Sequence, residues 1–201
     1  MKNKKIFPII FVLCSFFLLT GFFGGNQTSE EKRKEILKMR QVTLNDLYKQ
    51  LPGAKEAIEN SAGYAVFDNV GINLLVVSTG NGSGVAHDKK TAKDTFMKMF
   101  SAGVGIGLGV KDFRGIFVFS TQEAFDNFVT TGWQAGAQAD AAAKSDGKGD
   151  ALAAAIDVAP GIKLYQLTEN GLALQATIQG TKYWKNDDLN KQRLALATAI
   201  Y

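Results

Sequence analysis

The residues best able to do acid–base, nucleophilic or metal chemistry are few in this chain. His87 is the only histidine, and Cys14, inside an apolar stretch near the N-terminus, is the only cysteine. A zinc site would therefore need His87 and carboxylates alone, which is an unusual ligand set for that metal. No serine lies in a Gly-x-Ser-x-Gly nucleophile elbow. We expect no catalytic residue, no bound metal and no cofactor, and we interpret His87 as an ordinary residue at a strand end.

Glycine occupies every second position from Gly103 to Gly109, and aliphatic residues fill the positions between. A period of two is the strand period, so one face of this strand is bare backbone. A dinucleotide-binding loop would need a helix directly after the glycines, but the apolar strand Ile116–Phe119 follows instead. We expect the bare face to be covered closely by a helix, by the opposite wall of a bent sheet or by a flat apolar ligand.

Basic side chains cluster at two places that could contact an anionic surface. The candidates for lipid head-group contacts are Lys32, Arg33, Lys34, Lys38, Lys89, Lys90 and Lys93. A cation near an anionic bilayer contributes about 1 kcal/mol of attraction. Three glutamates dilute the first cluster, and a solvated turn is the simpler interpretation of the second.

Residues 1–25 have the layout of an export signal, in which lysines precede the apolar run Ile6–Leu19. An uncleaved membrane anchor is the alternative, because the apolar run continues to Phe23. Phe22 stands where a bacterial lipoprotein would need a cysteine. The net charge of +4 comes mostly from three leader lysines, so bulk charge gives no argument for nucleic-acid binding.

The helices that would position these residues are indicated by their ends. Thr28 and Glu31 form a capping box, and Pro52-Gly53 ends the helix that follows. Its apolar side would pack on the protein core or, alternatively, lie on a membrane. A short second helix is predicted over 54–60. A further capping box at Ser120–Glu123 opens an internal helix with one apolar stripe, formed by Ala124, Phe125, Phe128 and Val129.

Strands are predicted over most of the remaining sequence. We expect strands over 63–67 and 72–79, with turns at 68–71 and 80–84. An alternating pattern predicts a strand over 133–143, and Asn170-Gly171 predicts a hairpin between strands over 162–168 and 172–183. The expected fold class is α+β, with a mainly antiparallel, strongly bent or barrel-like sheet of about seven or eight strands. An N-terminal amphipathic helix and one internal helix accompany it.

Several short stretches together resemble the lipid-binding SYLF domain. They are GYAVFDNVG at 63–71, GSGV at 82–85, SAGVGIGLG at 101–109, FVF at 117–119 with FDNFV at 125–129, GLAL at 171–174 and QGTK at 179–182. The resemblance divides the chain into a leader or anchor (1–25), a SYLF-like domain (26–188) and a C-terminal tail (189–201). It implies binding of phospholipid, including phosphoinositides in eukaryotic members, partly through the N-terminal helix. Fungal members also bind actin, which is unlikely for an exported protein; the exported bacterial branch fits this chain best.

The resemblance and the residue patterns predict a non-catalytic phospholipid-binding protein of the bacterial cell envelope, periplasmic or membrane-associated, with an anionic membrane surface as its partner. An alternative is an envelope structural or assembly factor that acts through protein–protein contacts. A third hypothesis is a hydrolase of an unrecognised type that uses His87.

Overall fold

A computed structural model describes residues 27–74, 77–104, 113–135, 155–168, 171–173 and 180–191. The leader, three of the four alternating glycines (Gly105, Gly107 and Gly109) and most of the predicted strand over 133–143 lie outside the described residues. Fold and contacts below refer to the described ranges.

The N-terminal helix begins where the capping box predicted. It is α1 (Ser29–Gln50), and the Thr28 hydroxyl accepts a hydrogen bond from the amide of Glu31, whose carboxylate accepts one from the amide of Thr28. These hydrogen bonds from Thr28 hold the pKa of Glu31 below its ordinary value. The helix ends before Pro52, and α2 (Gly53–Glu59) follows as predicted.

Nine strands in the described ranges form one antiparallel sheet, which curls into a half-barrel and confirms the α+β class. The chain order is β1 (Gly63–Leu74), β2 (Val77–Asp88), β3 (Lys93–Val104), β4 (Phe113–Phe119), α3 (Gln122–Thr130), β5 (Trp133–Gln134), β6 (Ile156–Ala159), β7 (Ile162–Thr168), β8 (Gly171–Ala173), β9 (Thr181–Lys185) and a short helix α4 over 187–191. The order across the sheet is β5-β9-β3-β2-β1-β4-β7-β6, with β8 paired to β7.

The turns predicted at 68–71 and 80–84 are wrong, because both segments lie inside long paired strands. Asp68 pairs with Ser83 and Gly71 with Gly80 in a continuous β1–β2 ladder. The glycines serve close packing instead of turning the chain. A Cβ atom on Gly84 would lie 2.6 Å from Cε1 of Phe67 and 2.5 Å from the carbonyl oxygen of Val66. Glycine inside a strand can mark a close approach of this kind.

The two faces of the sheet bury separate cores. On one face, Phe67, Phe117 and Phe119 pack with Phe125 and Phe128 of α3, so the predicted helical stripe does enter the core. On the other face, α1 and α2 cover a second set that comprises Leu44, Leu47, Ala54, Ile58, Val66, Ile116, Val118, Ala155, Tyr165 and Leu167. The apolar side of α1 therefore packs on the sheet, which was the first of the two interpretations of this helix. β4 is buried on both sides, as its apolar sequence predicted.

The cap of α3 differs from the prediction by one residue. Thr121 is the N-cap, and its hydroxyl accepts a hydrogen bond from the amide of Ala124. The third helical residue is thus Ala124, which has no side-chain acceptor, and the predicted Ser120–Glu123 capping box is wrong. The helix ends at Thr130, and Gly132 follows with φ of +80°, the conformation of a glycine that ends a helix.

The strand predicted over 172–183 is wrong as one element. β8 pairs with β7, as the Asn170-Gly171 hairpin predicted, whereas β9 pairs with β3 on the other side of the sheet. The segment from residue 189, predicted as a short terminal helix or tail, begins inside the short helix α4 over 187–191. Leu189 in α4 is buried against Ile36, Val85 and Phe96.

Candidate functional site: lysines and a cleft along the first helix

A three-residue polar cluster fixes the middle of α1 to the sheet. The Asp94 carboxylate at the start of β3 accepts hydrogen bonds from Arg40 Nη1 of α1 and from His87 Nδ1 of β2, each at 2.7 Å through the same oxygen Oδ1. His87 and Asp94 are directly opposite in the β2–β3 ladder. The side chains of Arg40, Asp94 and His87 are only 19%, 17% and 25% exposed. The Arg40–Asp94 hydrogen bond joins two charged groups, and such bonds are shorter and stronger than those between neutral groups.

This cluster joins the middle of α1, which carries Lys38, to the start of β3, next to the β2–β3 turn that carries Lys90. Lys38 lies two residues before Arg40 on α1, and Lys93 lies one residue before Asp94, with Lys90 in the same β2–β3 turn. All three lysines are exposed, and none forms an ion pair with any residue that the structure describes. Val42, 45% exposed on the same helix, adds an apolar side chain to this surface.

The other four predicted head-group residues have different surroundings. Arg33 donates to the carbonyl of Leu189, Lys34 forms an exposed ion pair with Glu30, and Lys89 donates to the carbonyls of Ile58 and Glu59 at the end of α2. Lys32 is exposed and faces a cleft.

The cleft lies between the first half of α1 and the sheet and has a volume of about 550 Å³. Strand register builds its sheet wall, because Asp68 of β1, Ser83 of β2, Lys98 of β3 and Trp184 of β9 are neighbours in one row across four strands. Residues two apart on a strand share a face, so Asn81 and Phe100 continue the same face in the next row. Phe100 is 39% exposed.

The helix wall and the end of the cleft add the same mixture of charged and apolar groups. Lys32 and Glu35 line it from α1 together with Ile36 and Met39, and Leu189 closes one end. Glu35 accepts a hydrogen bond from the side chain of Gln27, and Lys98 Nζ lies 3.6 Å from Asp188. The cleft thus carries one cation and one carboxylate on each wall.

The His87–Asp94 pair has the arrangement in which a carboxylate orients an imidazole in hydrolases. In the part of the chain that the structure describes, however, no serine is hydrogen-bonded to His87, and Arg40 occupies the same carboxylate oxygen. The Tyr64 ring lies against the imidazole with centroids 5.2 Å apart, and burial raises the pKa of Tyr64. The described residues contain no cluster of three or more potential metal-ligating side chains. The absence of catalysis stays a prediction.

Reasoning from the sequence missed the residues that matter most in this geometry, namely Arg40, Asp94, Lys98 and Trp184. Asp94, Phe96, Lys98 and Phe100 alternate with Thr95, Met97 and Met99, which is a strand pattern. The sequence predicts a strand over 96–100 without a clean period, because both sets contain large apolar side chains that cover the two faces of the sheet. The partners of these residues depend on strand register, which the local sequence does not specify.

No protein-family model matches this chain. A protein of Aeromonas veronii named Beta cell expansion factor A is 39% identical to it over 165 residues, which are 82% of this chain and 61% of the relative. The chain thus spans about three fifths of the length of that protein. None of the helices in the described ranges is both long and apolar enough to cross a bilayer.

Proposed function

We propose that this protein is a non-catalytic phospholipid-binding protein of the bacterial cell envelope. Its leader directs export, and its partner is an anionic membrane surface. The resemblance to the SYLF domain supports the ligand class. The observation that supports the proposal most is the Arg40–Asp94 contact, because it holds the helix that carries Lys38 against the strand start and turn that carry Lys93 and Lys90.

The packing of α1 on the sheet determines which side of this helix can contact a membrane. Leu44 and Leu47 are buried against the sheet, and Ile36 is only 6% exposed. Inserting this apolar side into a bilayer would require α1 to detach from the sheet. The attached helix instead presents its opposite side, so we propose that the lysines hold head groups from outside while the helix stays docked. This mode is mainly electrostatic, with Val42 as the apolar contact.

Co-sedimentation with vesicles tests the proposal directly. The exported chain without residues 1–25 is mixed at low salt with vesicles of neutral phosphatidylcholine or of phosphatidylcholine with phosphatidylglycerol. We expect binding to the anionic vesicles and little to the neutral ones. Replacing Lys38, Lys90 and Lys93 by Gln is expected to abolish most of it.

A charge-matched control separates a specific surface from bulk charge. Replacing three other exposed lysines, Lys49, Lys185 and Lys191, by Gln lowers the net charge equally. This control is expected to bind anionic vesicles as the parent protein does. No binding to either kind of vesicle would remove the lipid proposal and leave the envelope assembly factor as the better candidate.

The name of the relative describes an effect on beta cells. If the shared residues carry that effect, an exported protein of this type would first meet another cell at its membrane surface. The same vesicle experiment, repeated with the relative, tests whether the two proteins share this contact.

A further inference from the structure

We propose that the cleft beside α1 binds one phospholipid molecule whose head group carries a phosphate and a primary ammonium group, with an apolar chain behind them. Unlike the trimethylammonium group of phosphatidylcholine, a primary ammonium can donate hydrogen bonds to carboxylates. This proposal rests on the proposed function and deepens it. In this arrangement the outer lysines bind the anionic bilayer surface, and the cleft binds a single lipid molecule whose head group carries both charges.

The charges in the cleft select for a ligand with both signs. Lys32 and Glu35 come from α1, and Lys98 and Asp68 come from the sheet. A site for a simple anion would have more cations than carboxylates, because each carboxylate near the ligand's charge repels it. Lys98 already pairs with Asp188, and Glu35 accepts a hydrogen bond from Gln27. A bound head group would exchange these exposed partners, with its phosphate near the two lysines and its ammonium near the carboxylates. The Ser83 hydroxyl and the Asn81 amide add neutral hydrogen-bonding groups on the sheet wall.

Apolar side chains require that the ligand has an apolar part as well. Ile36 and Leu189 are almost fully buried below the cleft, and Met39 and Trp184 are half-buried at its sides. A volume of about 550 Å³ lies within the range of pockets that enclose small ligands. Ile36 and Leu189 already pack in the core with Val85 and Phe96. A free phosphate or a free amino alcohol would leave most of this space and the apolar surface of Met39 and Trp184 unused.

The exposed aromatic side chain beside the cleft fits a ligand that comes from a bilayer. Phe100 lies two residues after Lys98 on the same strand and is opposite Lys182 in the β3–β9 ladder. Both Phe100 and Lys182 are exposed. Aromatic rings with neighbouring lysines are typical of protein surfaces at the boundary between head groups and acyl chains. This edge would place the cleft next to the lipids from which its ligand is taken.

Trp184 provides a probe inside the cleft. The chain has two tryptophans, so Trp133→Phe leaves Trp184 as the only one, and calorimetry on the parent protein checks that this change leaves binding intact. The protein, purified after export in its processed form, is titrated with lysophosphatidylethanolamine below its micelle concentration. The comparison ligands are lysophosphatidylglycerol with the same chain, which lacks the ammonium group, and phosphoethanolamine, which lacks the chain.

We expect lysophosphatidylethanolamine to change the Trp184 emission and to bind at least tenfold more tightly than either comparison ligand. Glu35→Gln should reduce the preference for the ammonium-bearing lipid, and Lys98→Gln should weaken all phosphate-bearing lipids about tenfold, as expected for a lost charge-assisted hydrogen bond. The matched controls Glu56→Gln and Lys49→Gln, exposed residues that do not line the cleft, should leave both values unchanged.

Three results would overturn the proposal. Equal affinity for the two lysolipids would mean that the carboxylates do not read an ammonium group. Equal affinity for phosphoethanolamine would mean a head-group site without a chain. Calorimetric binding without a Trp184 response would place the lipid elsewhere. If the Lys98→Gln variant no longer binds lysolipid but still sediments with anionic vesicles, the cleft and the outer lysines are separate sites, as proposed. If the parent protein does not sediment with anionic vesicles, the proposed function itself is wrong.

Discussion

The ring of Phe125 in α3 lies directly against Gly63, the first residue of β1. A Cβ atom added to Gly63 would lie 2.6 Å from Cδ2 of Phe125 and 2.8 Å from the carbonyl oxygen of His87. Gly63 pairs with Asp88 of β2 and with Phe119 of β4. This single glycine therefore lets α3 close over the sheet where three central strands meet.

Replacing Gly63 by Ala should destabilise the protein by about 1–3 kcal/mol, because the added methyl group overpacks a filled site whose backbone neighbour cannot move away easily. Urea unfolding followed by circular dichroism measures this change. Gly115→Ala in β4 is the matched control, since its methyl group would lie 3.4 Å from Leu164 Cδ1 in ordinary contact. An equal loss of unfolding free energy in the two variants would contradict the close packing of Phe125 against Gly63.

The cap of α3 predicts different effects for adjacent residues. Thr121→Ala removes the hydroxyl that accepts from the Ala124 amide and should cost about 1 kcal/mol of unfolding free energy. Ser120→Ala should change stability by less than about 0.5 kcal/mol, as most surface substitutions do. Denaturant midpoints of the two variants check this prediction, and the reverse order would restore the capping box predicted from the sequence.

The Asp94 carboxylate should matter more for stability than an exposed carboxylate in a similar pair. Asp94→Asn keeps an oxygen that can accept a hydrogen bond but removes the carboxylate charge beside Arg40, and it should cost about 1–3 kcal/mol. The control is Asp157→Asn, because Asp157 is 52% exposed in its pair with Lys163 and such pairs contribute at most about 1 kcal/mol. Chemical denaturation measures both. If Asp94→Asn also weakens vesicle binding while Asp157→Asn does not, the cluster positions the lysine surface as proposed.

Asp88 should make stability depend on pH in the acid range. Burial raises the pKa of Asp88, but hydrogen bonds from the Thr91 hydroxyl and from the amides of Lys90 and Thr91 outweigh it and hold the pKa below its ordinary value of 3.8. The ionised carboxylate therefore stabilises the β2–β3 turn fully above that value, and this contribution is lost as the pH falls through the lower, folded pKa. Thermal melts at several pH values between neutral and about 3 should give a higher melting temperature for the parent than for Asp88→Asn. This difference in melting temperature should become smaller as the pH falls. A constant difference would mean that this carboxylate does not titrate with folding.

Salt should weaken vesicle binding if the outer lysines make it. Raising the salt concentration from roughly 0.05 to 0.5 M shortens the screening length to a few ångströms, and each cation at the surface contributes only about 1 kcal/mol. We expect sedimentation with anionic vesicles to fall steeply over this range. A flat response would instead indicate apolar insertion, through Val42 or Phe100.

Several local features could be read from the sequence because they depend on residues close together in the chain. The Thr28–Glu31 capping box and the Pro52-Gly53 stop define α1 within a few residues, and their hydrogen bonds form inside one helical turn. The apolar run Ile116–Phe119 indicated a central strand because a strand buried on both faces must be apolar on both. These patterns were sufficient for the α+β class and for an antiparallel, curled sheet.

The turns at 68–71 and 80–84 and the functional geometry were decided by tertiary structure. Glycine satisfies a turn and a close approach of side chains equally well, and only the packing of Phe67 against Gly84 distinguishes them. Arg40, His87 and Asp94 come from three elements and meet through the docking of α1 and the β2–β3 register. Register depends on which strands pair over long distances in the chain, and one residue of slip would turn Lys98 and Trp184 to the other face. The sequence by itself therefore determined most of the elements and the basic side chains, whereas the cleft and the Arg40–Asp94–His87 cluster exist only because the helix and strands pack in this arrangement.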